Sequence, residues 1–241
     1  MADSFQGAPV VVTGSSSGIG EALVEHLVSR GARVVALSRS GQSPDGVVAR
    51  IRCDVGRPDS VAEAYAEIRD LFGDDGLAHV VCSAGVVSEH LIEDLEPEEW
   101  HRVVDASLTG TYLTLHHAVP LMKARGKASV VAMSSGWARR GYPRGAHYAA
   151  AKGGIEALVR SVALELAPHN IRVNAVSPGP VKTKMLDSLP NFDEAQRAKI
   201  IPLGRVGEVE DVVTPTLFLL GDGADHITGQ VLQVSGGLTL T

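Results

Sequence analysis

Tyr148 and Lys152 stand four residues apart in Tyr148-Ala-Ala-Ala-Lys152-Gly-Gly-Ile-Glu156, a segment of helical character. Residues at i and i+4 share a helix face, so a phenol and an ammonium can meet in one site. A free tyrosine has a pKa of about 10 and is a poor base at neutral pH. A nearby ammonium and an oxidised nicotinamide, both positive, would draw it towards the working range. On spacing alone, such a pair is most often a surface pair. Ser135, just beyond the apolar run Ala128–Ser134, adds a hydroxyl able to hold a substrate oxygen. Phenol, ammonium and hydroxyl around one carbonyl carbon, with a hydride source, would interconvert a ketone and a secondary alcohol.

A hydride source needs a place to bind. The first apolar run, Val10–Thr13, leads into Thr13-Gly14-Ser15-Ser16-Ser17-Gly18-Ile19-Gly20 and then into a helical pattern. Glycines there let the backbone bend and approach a ligand, and the following helix offers free N–H groups to a pyrophosphate. Gly14, Ser16, Ser17, Gly18, Ile19 and Gly20 are therefore candidate cofactor residues. An acid at the end of the second strand would bond a ribose 2′-hydroxyl and repel a 2′-phosphate. The sequence instead reads Val34-Val35-Ala36-Leu37-Ser38-Arg39. Arg39 can clamp a phosphate, which favours NADP(H) over NAD(H). Asp54 after the third strand is placed either for an adenine amino group or as a turn aspartate.

These groups need a frame. Apolar runs at Val10–Thr13, Arg33–Leu37, Val48–Cys53, His79–Ser83, Ser129–Met133, Arg172–Val176 and Val231–Val234 read as strands. Several are apolar at consecutive positions, as in strands covered on both faces. Helical patterns at Gly18–Ser29, Pro58–Leu71, Pro97–Lys123, Tyr148–Ala167 and Val209–Leu219 alternate with them. The alternation predicts a single-domain α/β protein, residues 1–241, with a doubly wound parallel sheet and helices on both faces. Gly179–Gly207 contains Pro180, Pro190 and Pro202, with a short helix predicted over Phe192–Ile201. A loop of this length reads as a flap over the site.

Composition excludes several other functions. The net charge of −6 gives no pull towards nucleic acid or anionic membrane. The start MADSFQGAPV lacks a basic n-region, and no apolar run reaches the roughly 18 residues of a bilayer span, so a cytoplasmic protein is expected. Cys53 and Cys82 end apolar runs and suggest buried thiols, and the nine histidines include no HExxH spacing, so no metal is expected.

Taken together, the TGSSSGIG turn, Asp54-Val55, Ser83-Ala84-Gly85, Ser135, Tyr148-Ala-Ala-Ala-Lys152, Arg172-Val173-Asn174, Pro178-Gly179 with Thr183, and Thr228-Gly229-Gln230 resemble the classical short-chain dehydrogenase/reductase family. The resemblance runs from Val10 to the C-terminus, and includes β-ketoacyl reductases. It implies a seven-stranded Rossmann sheet assembled as a homotetramer or dimer. It implies Tyr148 as general acid/base, Lys152 as the group that lowers its pKa and holds the nicotinamide ribose, and Ser135 as the group that orients the carbonyl. It implies cofactor contacts from Val55, Ser83, Ala84, Gly85 and the Pro178, Gly179, Val181 and Thr183 segment, and it marks Arg39 for NADP. Two positions depart from the pattern. Cys82-Ser83-Ala84-Gly85 replaces Asn-Asn-Ala-Gly, and Ser107 stands where the family has a fourth catalytic residue, an asparagine thought to hold a water linked to the lysine. Ser107 is shorter and cannot offer a carbonyl and an amide together.

The loop between Ser135 and Tyr148 carries Trp137, Arg139, Arg140, Tyr142, Arg144 and His147. It reads either as a solvated or subunit-facing stretch, which is the commoner case, or as an attractor for an anionic or acyl-thioester substrate. No segment supplies a separate substrate domain, which argues against the family's sugar-nucleotide branch. A non-catalytic NADP-binding redox sensor is the alternative to an enzyme; the intact Ser135, Tyr148 and Lys152 favour the enzyme.

Overall fold

The computed structural model describes residues 5–190 and 193–240. Seven parallel strands form one sheet: β1 Pro9–Thr13, β2 Arg33–Ser38, β3 Ala49–Arg52, β4 His79–Cys82, β5 Ala128–Met133, β6 Ile171–Pro178 and β7 Val231–Val234. Their order is β3-β2-β1-β4-β5-β6-β7. The chain runs outward from β1 to β3, then returns to place β4 on the other side of β1. That reversal opens a crevice at the carboxyl ends of β1 and β4, where ligands of doubly wound sheets bind.

Strands β1, β4 and β5 are buried along their whole length. Each is covered on both sides, which is why the sequence shows apolar runs rather than alternation. Against one face pack α2 Pro58–Phe72, α4 Gly110–Arg125 and α6 Ala146–Leu166, through Tyr65, Ile68, Met122, Ile155 and Val159. Against the other pack α1 Gly18–Ser29 and α9 Val209–Leu220, through Leu23, Leu27, Val212 and Leu220. The doubly wound expectation holds.

The boundaries differ in instructive places. Cys53 and Ser83 lie just past the strands expected to contain them, and β6 extends to Pro178, bringing that proline to the crevice. The single helix expected over Pro97–Lys123 is two, α3 Pro97–Val104 and α4, joined by a wide π-helical turn at Asp105–Thr109. Such a turn accommodates an extra residue without breaking the helical run, and these turns often occur at functional sites. Gly179–Gly207 carries two short helices, α7 Lys184–Asp187 and α8 Glu194–Ile200. The helix expected over Phe192–Ile201 thus starts and ends inside that range, and Phe192 itself is outside the described residues. Arg172 spans from β6 to the end of α9, donating to the carbonyls of Leu219, Leu220 and Gly221 at 2.6–3.0 Å. Asn174 donates to the Ile227 carbonyl at 2.9 Å and accepts from the Gln230 N–H at 3.0 Å. Arg172 thus fastens the end of α9, and Asn174 the segment leading into β7, to β6.

Candidate active site

The glycine turn bends sharply because side chains have no room there. Gly14 has φ +70°, and a Cβ on it would meet the Ala84 backbone nitrogen at 2.7 Å. A Cβ on Gly20 would lie 2.2 Å from the Gly14 carbonyl oxygen. Ser15 ties the turn to the end of β2 through its hydroxyl and its N–H, both donating to the Leu37 carbonyl, at 3.1 and 3.2 Å. Thr13 Oγ1 accepts from the N–H groups of Ser83 and Ala84, fixing the segment after β4 alongside. Ser17, the N-cap of α1, makes no capping hydrogen bond with its side chain. The first N–H groups of the helix therefore face a cleft lined by Gly14, Ser16–Gly20, Ser38, Arg39, Asp54, Val55 and Ser83–Gly85. A turn of bare backbone at an uncapped helix start fits a pyrophosphate.

Arg39 is exposed on this cleft, and among the described residues no carboxylate pairs with it. Its backbone carbonyl is held by Arg52 Nε at 3.1 Å, and Ser38 Oγ donates to the Gln42 carbonyl at 2.9 Å, so the strand end is rigid. Asp54 uses Oδ1 to accept from the Gly56 N–H at 3.1 Å. It is a turn aspartate that lines the cleft as well.

A second cavity shares Ile19, Ser83, Gly85, Thr183 and Met185 with the first and contains Ser135, Tyr148 and Lys152. The three come together because Ser134, at the end of β5, donates to Glu156 Oε1 at 3.0 Å and bolts α6 to that strand. The Ser135 and Tyr148 side chains line the same cavity, and Ser135 is close enough to the phenol to oppose the effect of burial on it. Lys152 Nζ donates to the Met133 carbonyl at 2.8 Å and lies 5.6 Å from the centre of the Tyr148 ring. All three are buried. In the protein alone, burial pushes the Tyr148 phenol up to about 12, opposed in part by Ser135. Burial likewise draws the Lys152 ammonium down to about 8. The expected lowering of Tyr148 by Lys152 is not found in the protein alone: the shift is upward, from burial, and the group that opposes it is Ser135. The buried Cys82 thiol is close enough to feel the ammonium's charge, yet burial still raises it to about 12.

Sequence comparison places this geometry among known proteins. The family model described as enoyl-(acyl carrier protein) reductase matches residues 14–239. The chain belongs to the classical short-chain dehydrogenase/reductase family. It is 32% identical to the 3-oxoacyl-(acyl-carrier-protein) reductase of Thermotoga maritima, over 98% of this chain and 99% of that one. It is 35% identical to the cis-4-hydroxycyclohexanecarboxylate dehydrogenase of Sinomonas cyclohexanicum, over 99% of both. Among solved structures, the 3-ketoacyl-(acyl-carrier-protein) reductase of Brucella melitensis, in complex with NADH, superimposes with a TM-score of 0.89 at 30% identity, covering 98% of this chain and all of that one.

As an oxidoreductase of this family, the chain keeps the three side chains in register and departs at the fourth. Ser107 sits in the wide turn between α3 and α4, fully buried, and its hydroxyl has no hydrogen-bond partner among the described residues. A Cβ on Gly85 would lie 3.3 Å from Ser107 Oγ and 3.4 Å from Lys152 Nζ, so the two groups share one neighbourhood. Ser83 replaces the family asparagine, and its hydroxyl would stand 3.3 Å from a Cβ on Gly20, facing the glycine turn. Thr183 caps α7 and leans over Gly18, placing the Pro178–Thr183 segment above the glycine turn.

Other residues were not singled out from the short-chain dehydrogenase/reductase pattern. His147 is fully buried, with Nε2 2.9 Å from Ser88 Oγ, and Ser88 donates to Glu99. Because Ser88 spends its proton on Glu99, His147 Nε2 is the donor to Ser88. Burial lowers the imidazole's pKa, so the ring is neutral, while Arg102 holds the Glu99 carboxyl down at about 2. This chain ties the start of α6, beside Tyr148, to α3. Leu238 and Thr239, beyond β7, line the cavity that holds Tyr148. The position of His147 next to Tyr148 is the one signal that could have marked the first set; nothing in the sequence marks the second.

Burying an ammonium is costly, and the sign follows from its depressed pKa. Below about 8 the folded and unfolded chains are both protonated and the full cost is present. Between about 8 and the usual 10.5 the folded chain sheds its proton first, and the cost fades. Lys152→Met is therefore expected to unfold at a higher temperature than the parent at pH 7, by about 1–3 kcal/mol of stability. The gain should shrink steadily as pH rises past 8. Thermal melts of both proteins across that range check it, and a variant no more stable at pH 7 refutes the account.

Proposed function

We propose that the protein is an NADP(H)-dependent reductase that interconverts a ketone, or a β-ketoacyl group, and a secondary alcohol. The observation that carries this reading is the meeting of the Ser135 and Tyr148 hydroxyls beside Lys152, in a cavity continuous with the glycine turn. The cofactor, when bound, supplies the hydride. Tyr148, kept neutral by burial, is the proton donor to the carbonyl oxygen, and Ser135 holds that oxygen in place. The Lys152 ammonium stabilises the phenolate left behind and reaches the ribose side of the cavity. Ser107, beside Lys152, stands where a water linking the lysine to solvent would be held, in place of the family asparagine. Arg39, uncompensated at the cleft, receives the 2′-phosphate. The Gly179–Gly207 segment, which contributes Pro180, Met185, Leu186 and Leu189 to the cavity, closes over the substrate. Among the described residues, no helix is long and apolar enough to cross a membrane.

The test is oxidation of NADPH, followed by loss of its near-ultraviolet absorbance, against a panel of ketones and β-ketoacyl esters with NADH in parallel. Turnover with NADPH well above NADH is expected. Preference for NADH would remove the Arg39 assignment and leave the chemistry standing. Tight NADPH binding with no turnover on any carbonyl would favour the sensor.

A further inference from the structure

The cavity that holds Tyr148 is walled by Val87, Trp137, Met185, Leu186, Leu189 and Leu238, and it has one guanidinium in its lining, Arg140. Arg140 ends α5, a single helical turn Trp137–Arg140. Residues three apart on a helix lie on one side, so Arg140 stands beside Trp137, about 5 Å along the axis. Trp137 in turn meets the Tyr148 ring edge-on at 5.8 Å and stacks flat on Tyr142 at 3.7 Å. A charge on Arg140 therefore lies within a small molecule's length of the reacting hydroxyls.

Its neighbours are already paired. Arg139 binds Glu156 at 3.2 Å, with Arg160 at 3.9 Å from the same carboxylate. Arg144 lies 4.0 Å from Glu89, which also accepts from the Tyr142 hydroxyl. Among the described residues the Arg140 guanidinium has no carboxylate and no hydrogen-bond partner, and the same holds for the guanidinium of Arg197 on α8. Arg197 is close enough to Tyr142 to oppose the rise that burial gives its phenol. The whole chain carries −6, so an unspent guanidinium in the cavity lining does not reflect overall composition.

We propose, building on the reductase reading above, that the substrate is a keto acid: an apolar body with a free carboxylate, which Arg140 pairs at the cavity mouth while the ketone faces Tyr148. The walls suit the body, and a guanidinium is matched to a carboxylate through paired hydrogen bonds. A carrier-bound acyl group has no charge at this depth, because its phosphate sits at the far end of a long neutral pantetheine arm.

The test compares kcat/KM for levulinate and its longer homologues with that for their methyl esters, with acetoacetyl-CoA as a thioester arm. The acid is expected to exceed its ester by about ten- to a hundredfold at the best chain length. In Arg140→Gln that ratio should collapse towards one, and Arg140→Lys should restore part of it. In Arg139→Gln, whose parent side chain is committed to Glu156, the ratio should stay. Equal rates for acid and ester overturn the proposal, as does a preference for acetoacetyl-CoA over every keto acid. A binding arm is independent of turnover: hexanoate and methyl hexanoate titrated calorimetrically into the NADP-loaded protein. Tighter binding of hexanoate, lost in Arg140→Gln, supports the pairing even if no ketone is reduced, in which case the reductase reading alone fails. Equal binding overturns the pairing.

Discussion

Tyr148→Phe is expected to lower kcat/KM for carbonyl reduction by about a thousandfold, the range associated with loss of a positioned proton donor. NADPH affinity should change by no more than about twofold, because the variant keeps the ring. That ring is what packs: it meets Trp137 at 5.8 Å and Tyr142 at 6.4 Å, both edge-on. Deleting only the hydroxyl leaves those contacts in place, so a loss of rate with an unchanged melting temperature identifies a chemical role. The neighbour left behind is the Ser135 hydroxyl, which can rotate towards the cavity. Stopped assays at saturating NADPH, paired with titration of the cofactor by fluorescence, separate the two quantities. A variant that keeps its rate removes Tyr148 from the mechanism. A protein whose task is to report cofactor state through a partner would keep that task intact after this change.

The second large effect belongs to the cofactor. Arg39→Asp is expected to cut kcat/KM with NADPH by about a hundredfold or more and to invert the preference in favour of NADH. The loss combines a charge-assisted bond with new repulsion of the 2′-phosphate by a carboxylate, and each contribution is worth about 1.5–3 kcal/mol. The gain with NADH should be smaller, because the carboxylate has only ribose hydroxyls to bind. The change is local for a structural reason: Arg39 is exposed, and its backbone is held through its carbonyl by Arg52 rather than through its side chain. Parallel kinetics with both cofactors read the outcome. An unchanged ratio shows that another group, such as Lys184 on the same cleft, carries the selection.

Much of this arrangement is written locally. The buried strands are legible because a strand covered on both faces must be apolar at successive positions, as Val10-Val11-Val12 is. The glycine turn is legible because its requirement is steric and only glycine meets it, as the 2.2 Å approach at Gly20 shows. Tyr148 and Lys152 are legible because helical spacing alone puts them on one face. What was hidden is of two kinds. The π turn at Asp105–Thr109 leaves apolar spacing that a straight helix would show almost equally well, so Pro97–Lys123 read as one element. Contacts between distant segments have no local pattern at all: Ser88 with His147, Leu238 in the substrate wall, and Arg140 left unpaired while Arg139 and Arg144 are not. The basic loop was expected to be mostly solvated, and Arg140 and Arg144 are indeed exposed; what the sequence did not show is that Arg140 also lines the cavity.

One further consequence rests on Cys82, which sits at the end of β4 near Lys152. With its thiol held up at about 12, only roughly one molecule in a hundred thousand carries a thiolate at pH 7. The thiolate is the form that attacks peroxide and disulfides, so burial makes this side chain a poor target for sulfur oxidation. Cys53 is buried too, and desolvation moves it in the same direction. Neither thiol offers an oxidant a ready thiolate beside Tyr148 and Lys152.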